Sequence, residues 1–388
     1  MKISLPQIDG SLKTLTLKAT PLKPAGTRTP FNRTVYAHAH VVVDPFATVD
    51  PWDRSPAIDW DATLAFREHL YGLGFKVSEA TDTAQRGMGL DWPEASELIR
   101  RSLRHARSVG ADVVCGVGTD QLQARPGVTL AQVAAAYREQ MDVVEAEGGR
   151  AILMPSRALA RCAASASDYL AVYGRILRDA RQPVVIHWLG SMLDPRLEGY
   201  WGSKDIAVAQ ETVLELVEQH AGKIEGVKIS LMDSPLEASV RSRLPPGVKM
   251  FAGDDFDYAE KIQGDGRSFS HGLLAIFGAI APVAALAFGK LAEGRPEEFR
   301  AILDPTLALA RELFRAPTRH YKVGIVLLAW LNGHQRHFSM LGGLQGARGA
   351  VHYAKVFEYA DACGALSDPE LAVDRMRKLL SVTCGVDA

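Results

Sequence analysis

Short runs of branched apolar residues alternate with longer amphipathic stretches along most of this chain. The runs predicted to be β-strands are residues 35–43, 76–78, 112–115, 151–154, 183–187, 226–229, 248–252 and 273–277. Helical patterns between them cover residues 60–71, 93–109, 130–147, 166–179, 209–220 and 235–243. Strands that alternate with helices indicate parallel βαβ units, and eight such strands are the number that closes a TIM barrel. No G-x-G-x-x-G follows the first strand, which disfavours an open dinucleotide-binding sheet. The sequence therefore predicts an α/β protein with a (β/α)8 barrel.

The remainder of the 388 residues extends this barrel at both ends. Residues 1–33 are predicted to form a short β-rich leader, and residues 34–295 the catalytic barrel. After the last strand the pattern is helical only, over residues 296–314, 321–331, 347–362 and 369–380. We interpret residues 296–388 as a helical C-terminal extension that covers the barrel or an oligomer interface.

Charge and composition narrow the range of partners. Lys and Arg number 44 against 45 Asp and Glu, a net charge of −1, so no global charge attracts nucleic acid or an anionic membrane. The four cysteines include no C-x-x-C, and the N-terminus has no apolar core of signal-peptide length, so we expect a cytoplasmic protein. Residues 272–289 are uncharged, but Pro282 divides them, which favours a strand followed by a helix over a membrane span.

Ionisable and hydroxyl side chains concentrate where the predicted strands end. Barrel enzymes carry their working residues at the carboxyl ends of the strands, and charged groups are costly to bury without a task or a partner. The candidates at these ends are His38, His40, Glu79, Thr81, Asp82, Thr83, Arg157, His187, Lys228, Asp254 and His271.

Lys228 is the most informative of these residues. It lies in the segment EGVKIS, at the end of a short apolar strand, so its stem would rise into the mouth of the barrel. A lysine with the ordinary pKa of about 10.4 is almost fully protonated at pH 7, and attack on a carbonyl requires burial or a nearby cation to lower that pKa. The alternative from spacing alone is a lysine paired at the rim with Glu225, Asp254 or Asp255.

Seven stretches in chain order resemble one known family. They are VVVDPF (41–46), GLGFKVSEATDTA (72–84), VVCGVGTD (113–120), PVVIHWLGS (183–191), GVKIS (226–230), FAGDD (251–255) and GAIAP (278–282). Between about Val35 and Leu303 the chain resembles the dihydrodipicolinate synthase/N-acetylneuraminate lyase family of class I aldolase-type barrels, as a divergent branch of uncharacterised function. The resemblance implies a Schiff-base lyase or aldolase in which Lys228 forms the imine, with no dissociable cofactor.

The chain departs from the family pattern at residues for proton transfer and for substrate binding. His187 stands where the family has its proton-relay tyrosine, and a histidine can carry that proton at neutral pH. Thr81 and Thr83 stand in for the paired threonines that hold a 2-oxo acid carboxylate, but Asp82 between them would repel one. Arg157 follows the fourth strand and is a candidate to anchor an anionic group. These residues, with His38, His40, Glu79, Asp254 and His271, are the predicted substrate-binding set for a small 2-oxo acid or keto-sugar-like compound.

Two other functions remain open at this stage. His38-Ala39-His40 is the H-x-H pattern of metal-dependent barrels. His187, Glu79 and Asp254 or Asp255 could complete a divalent-metal site for a hydrolase or lyase. The other alternative is a sugar-binding barrel without catalytic activity.

Three further segments give predictions about self-association and about two loops. The apolar helix around residues 323–330 predicts a homo-oligomer, dimer or tetramer, because a monomer would have to cover it elsewhere. His334-Gln335-Arg336-His337 is interpreted as a solvated turn rather than a lid. The aspartates of VDPWD (49–53) lie in a proline-containing loop where a gating role is the less favoured interpretation.

Overall fold

All of the predicted barrel strands form, and two more form at the N-terminus. A computed structural model describes residues 1–17, 19–24, 30–47 and 57–387. The strands are β1 (Lys2–Pro6), β2 (Leu12–Thr16), β3 (Val35–His38), β4 (Lys76–Glu79), β5 (Val113–Val117), β6 (Arg150–Leu153), β7 (Val184–Leu189), β8 (Ile224–Ser230), β9 (Lys249–Ala252) and β10 (His271–Leu274).

The helices occupy the predicted intervals and the C-terminal part of the chain. They are α1 (Trp60–Gly72), α2 (Trp92–Ser108), α3 (Leu130–Ala146), α4 (Arg157–Cys162), α5 (Ala166–Asp179), α6 (Ile206–Gln219), α7 (Ser234–Arg243), α8 (Tyr258–Gln263), α9 (Ile276–Ala279), α10 (Ala281–Ala292), α11 (Pro296–Leu303), α12 (Thr306–Leu313), α13 (Lys322–Leu331), α14 (Ala350–Ala362) and α15 (Pro369–Cys384). Short 3-10 turns lie between several of them.

The strands β3 to β10 close into one parallel barrel in chain order, so the predicted (β/α)8 TIM barrel is confirmed. The strands β1 and β2 form a separate antiparallel hairpin with Ile3 opposite Leu15, as expected for a β-rich leader. Barrel strands are covered on both faces, which explains why they are continuous apolar runs rather than alternating ones. All five residues of β5, for example, are buried.

The chain forms two compact units. One comprises residues 76–274, which include β4 to β10 and α2 to α8; the other comprises residues 1–75 together with 275–388. The three-part division predicted from the sequence, with boundaries at residues 34 and 296, stays a prediction.

Three sequence predictions need correction at the level of single elements. The first barrel strand was predicted over residues 35–43, but β3 ends at His38, so His40 lies beyond it. Residues 296–314 were predicted as one helix, but α11 ends at Leu303 and α12 begins at Thr306, because Pro305 has no amide hydrogen and interrupts the helix. The last barrel strand was predicted at residues 273–277, but it covers His271–Leu274, and Ile276–Ala279 is helical. His271 therefore begins β10 instead of ending it.

The uncharged segment 272–289 is divided among β10, α9 and α10, as Pro282 suggested. No helix of the described ranges is both long and apolar enough to cross a membrane. The apolar α13 is buried within the single chain over its whole length, so it offers no exposed apolar face for the self-association predicted from it. The homo-oligomer and the cytoplasmic location stay predictions from the sequence.

Candidate active site

Four side chains lie at one level on neighbouring strands of the unit 76–274. His187 of β7 is in register with Lys228 of β8, Lys228 with Phe251 of β9, and Phe251 with His271 of β10. Residues in register on parallel strands point to the same face of a sheet. The ring centroids of Phe251 and His271 are 5.7 Å apart. The structure thus brings three of the predicted site residues into one row, with Phe251 between Lys228 and His271.

Lys228 is buried, with 5% of its surface exposed. Burial lowers the pKa of its ammonium group from 10.5 to about 8, although the negative charges of Asp255 and Asp82 act in the opposite direction. A lysine with a pKa of about 8 is roughly one-tenth neutral at pH 7, about 300-fold more than an ordinary lysine. The lowered pKa therefore gives Lys228 a larger fraction of the neutral amine, the form that can act as a nucleophile.

Gly226 of β8 leaves room for the aromatic ring of Phe251. Gly226 precedes Lys228 by two residues and so shares its face of β8. A Cβ atom at position 226 would come within 2.5 Å of the Lys249 carbonyl oxygen and 2.7 Å of Phe251 Cε2. The glycine therefore permits the Phe251 ring to pack against β8 at this position.

His187 is buried and bonded to Ser230, which is not among the site residues predicted from the sequence. Its Nε2 lies 3.1 Å from Oγ of Ser230, which ends β8 on the same face as Lys228. A Cβ atom at Gly253 would come within 2.5 Å of that Oγ, so the glycine after β9 keeps space for the serine. A hydroxyl two residues after the lysine on the same strand was a signal in the sequence that could have identified Ser230.

Thr81, Asp82 and Thr83 follow β4 in a short loop, and Asp82 begins a 3-10 turn to Ala84. Thr81 and Thr83 are buried. Ala80, just before them, has φ of +49°, a left-handed conformation that costs a residue with a side chain on the order of 1–2 kcal/mol. This loop needs support from its surroundings.

Arg86, which is not among the site residues predicted from the sequence, supplies that support. Its guanidinium, almost fully buried, donates to Ala80 O at 3.1 Å and to Gly116 O at 2.8 Å. It also holds both carboxylate oxygens of Asp120, at 2.9 and 2.6 Å, and Oε1 of Gln140 at 2.6 Å. The Gln140 oxygen in turn accepts from the Gly118 amide. One arginine thus ties the loop after β4 to the end of β5.

Glu79 points away from this row. Alternation along β4 places Glu79 on the face opposite to Ser78, and Ser78 shares the face of Lys228 through the register of β5, β6 and β7. The Glu79 carboxylate accepts from Ser102 Oγ of α2 at 2.5 Å and from the Ala80 amide at 2.8 Å. The structure places Glu79 between strand and helix, not beside Lys228.

The two aspartates after β9 have different surroundings. Asp254 accepts from Lys261 Nζ of α8 at 2.6 Å in a buried ion pair. Asp255 is the one whose charge acts on Lys228, together with Asp82. Glu225, another predicted partner of Lys228, instead bonds Arg150 at 2.6 Å and Lys249 at 3.1 Å. Of the three acids predicted from spacing to pair with Lys228, Asp255 is the one whose charge acts on it.

Arg157 begins α4 with 42% of its side chain exposed and bonds the Asp194 carboxylate through Nε. Its charge is therefore already matched by an acid. Its candidate role as an anchor for an anionic substrate group remains a prediction.

The H-x-H histidines belong to the other unit. His40 is buried, its Nε2 lies 2.8 Å from Gln335 Oε1, and its ring packs on Phe66 of α1 with centroids 4.4 Å apart. Burial lowers the pKa of His40 to about 3, which keeps the ring neutral. Gln335 is 3% exposed, so the interpretation of 334–337 as a solvated turn is wrong for this residue. His38 is also buried.

No group of three or more His, Cys, Asp or Glu is arranged to hold a metal ion within the ranges that the structure describes. The described residues therefore provide no ligand set for the metal-dependent hydrolase or lyase. The aspartates of VDPWD (49–53) lie outside those residues.

Comparison with known proteins assigns the family. A family model described as "Protein of unknown function (DUF993)" matches residues 3–386. The chain belongs to this family. A comparison with curated proteins gave no significant match.

Solved structures similar to this chain include several dihydrodipicolinate synthases. That of Thermotoga maritima is 12% identical, covers 86% of this chain and 100% of its own, and has a TM-score of 0.61. That of Bacteroides thetaiotaomicron is 13% identical with coverages of 84% and 98% and a TM-score of 0.60. That of Oceanobacillus iheyensis is 14% identical with coverages of 76% and 86% and a TM-score of 0.56. At these identities the likeness shows a shared fold, and the chemistry must be argued from the residues of this chain.

Proposed function

We propose that this protein is a class I lyase or aldolase, which forms a Schiff base between Lys228 and a small 2-oxo acid or keto-sugar-like substrate. The observation that carries the proposal is a lysine buried at the end of β8 whose pKa is lowered to about 8 by burial. A strongly shifted pKa on a nucleophile at the carboxyl end of a barrel strand is typical of an active site. The fold shared with dihydrodipicolinate synthases supports the same reaction class.

The reaction begins with the neutral amine of Lys228. Its lone pair forms a bond to the substrate carbonyl carbon, the carbonyl π electrons move to oxygen, and a proton passes from nitrogen to that oxygen. This carbinolamine takes up a second proton and loses water, which gives a protonated imine. The imine then acts as the electron sink, so the reaction needs no dissociable cofactor.

In the following step the bond between the substrate's α-carbon, which adjoins the imine carbon, and its β-carbon breaks. The β-hydroxyl gives up its proton and becomes the carbonyl of the departing aldehyde, while the electron pair of the broken bond moves toward the imine nitrogen and leaves an enamine. The α-carbon of the enamine then takes up a proton. His187 is the group we assign to move that proton, because it lies beside Lys228 in register and is bonded to Ser230. Water finally adds to the imine carbon and releases product and the free amine. Thr81, Thr83 and Arg157 are proposed to orient the substrate.

Reductive trapping tests the imine directly. The protein is incubated with a panel of keto acids and keto sugars, reduced with borohydride, digested and analysed by mass spectrometry. We expect a stable adduct on Lys228, with a yield that rises with pH to half its maximum near pH 8, because only the neutral amine attacks. A yield that rises only near pH 10.5, as for an ordinary lysine, or an adduct spread over exposed lysines, would contradict the proposal. A sugar-binding barrel without catalysis would bind the sugar and trap nothing.

Proton transfer can be followed without knowledge of the natural substrate. A ketone held as imine and enamine exchanges its α-hydrogens with D2O, which NMR detects. We expect His187→Gln to slow this exchange on the order of 100-fold while the borohydride adduct on Lys228 still forms, since glutamine can bond Ser230 but cannot carry a proton. Equal exchange rates in wild type and variant would remove His187 from the mechanism.

A further inference from the structure

Two carboxylates act on the amine that would hold the substrate. Asp82 begins the turn after β4 and Asp255 follows β9, where it is buried with 4% exposed. Asp82 follows a strand of the same barrel as β8, and Asp255 lies four residues after Phe251, the residue of β9 in register with Lys228. The negative charges of both carboxylates favour the ammonium form of Lys228. A substrate bound as an imine at Lys228 therefore sits close to two negative charges.

The cationic side chains that follow three of the strands are matched by acids of the same unit. Arg86, after β4, binds both oxygens of Asp120. Arg157, after β6, bonds Asp194. Lys261, after β9, lies 2.6 Å from Asp254 and 3.4 Å from Glu237. A substrate carboxylate would have to compete with a protein carboxylate for each of these cations.

We infer that the compound accepted at Lys228 carries no carboxylate and is an uncharged hydroxylated ketone or aldehyde. This inference rests on the proposed function and narrows its substrate class. Hydroxyl groups next to the carbonyl can donate to the carboxylates of Asp82 and Asp255, and hydrogen bonds to an ionised acceptor are the stronger kind. A 2-oxo acid in the same place would bring a third negative charge against the same two groups.

Two probes with the same carbon skeleton test whether Lys228 prefers an uncharged carbonyl compound to a carboxylate. Hydroxyacetone and pyruvate are both three-carbon methyl ketones and differ in a hydroxymethyl group against a carboxylate. Each is titrated against the protein under borohydride, and adduct on Lys228 is quantified by mass spectrometry. The intrinsic reactivity of each probe is taken from lysines of the protein unfolded in guanidinium. After that correction we expect hydroxyacetone to half-saturate Lys228 at a concentration at least about tenfold below pyruvate.

Two variants connect the preference to its cause. Asp82→Asn removes one of the two charges, and we expect it to reduce the preference for hydroxyacetone at least about threefold, mainly by improving pyruvate. Glu260→Gln is the matched control, because Glu260 is an exposed acid of α8 in the same unit and should leave the preference unchanged.

The outcomes separate the inference from the proposed function. If pyruvate labels Lys228 at an equal or lower concentration, or if Asp82→Asn leaves the ratio as it was, the inference is overturned and the imine mechanism stands. If neither probe labels Lys228 above the level of exposed lysines, the proposed function itself is overturned, and the inference with it.

Discussion

Lys228→Met is expected to abolish the borohydride adduct and, at the same time, to raise the free energy of unfolding at pH 7 by roughly 3 kcal/mol. The adduct disappears because methionine has no amine. The stability rises because the folded protein holds this ammonium group at a pKa of about 8, whereas the unfolded chain has a pKa near 10.5. Each unit of that difference is worth about 1.4 kcal/mol against the folded state. A stabilised protein without its adduct would mark a residue retained for chemistry and not for the fold.

The sign of this effect depends on pH in a way that can be checked. Because the folded pKa is lowered, the unfolded chain binds more protons, and the cost of Lys228 is complete below about pH 8. The cost declines as the pH rises from about 8 to 10.5, so the gain from methionine should vanish over the same interval. Denaturant unfolding at several pH values measures it.

Lys261→Met is the matched control, and we expect the opposite sign. Lys261 is also a buried lysine of the same unit, but it pairs with Asp254 and Glu237. Its removal leaves two buried carboxylates without their cation, which destabilises a protein by several kcal/mol. If both variants destabilise the fold equally, Lys228 is a structural lysine and the catalytic assignment fails.

The barrel could be predicted from the sequence because its signal is local and repeated. Each strand needs only a short apolar run between two helical patterns, and the residues from Ala166 to Asp179 were predicted as a helix with the bounds that α5 has. Errors came where a local pattern is ambiguous. The apolar run 273–277 continues through the end of β10 into α9, and nothing in its composition marks the change.

The site could be predicted only in part, because register and partners are properties of the folded chain. Lys228 and His187 each follow from their position at a strand end, and the structure places them in register. The choice between Asp254 and Asp255 depends on which carboxylate reaches Lys261, which adjacent sequence positions do not reveal. The partner of His40, Gln335, is 295 residues away along the chain.

Arg86→Met is expected to cost about 2–4 kcal/mol of unfolding free energy, the largest loss of stability among the positioning residues of this site. The variant leaves Asp120 with an unmatched negative charge and deprives the carbonyls of Ala80 and Gly116 of their donor. Burial alone would raise the pKa of Asp120, but the charge and hydrogen bonds of Arg86 hold it below 3.8. The destabilisation should therefore shrink as the pH falls below about 3.8, where the carboxyl group takes up a proton.

Arg101→Met provides the comparison for this loss. Arg101 lies on α2 with 43% of its side chain exposed and forms an ion pair with Glu97 one helical turn away, a type worth less than about 1 kcal/mol. Arg86 also restrains Ala80, whose left-handed backbone immediately precedes Thr81 and Asp82. We therefore expect Arg86→Met, in conditions where it remains folded, to lower the rate of adduct formation on Lys228, whereas Arg101→Met leaves both stability and labelling close to wild type. Labelling unchanged in a folded Arg86→Met protein would show that the loop after β4 holds its conformation without this arginine and that its orientation is determined by other contacts.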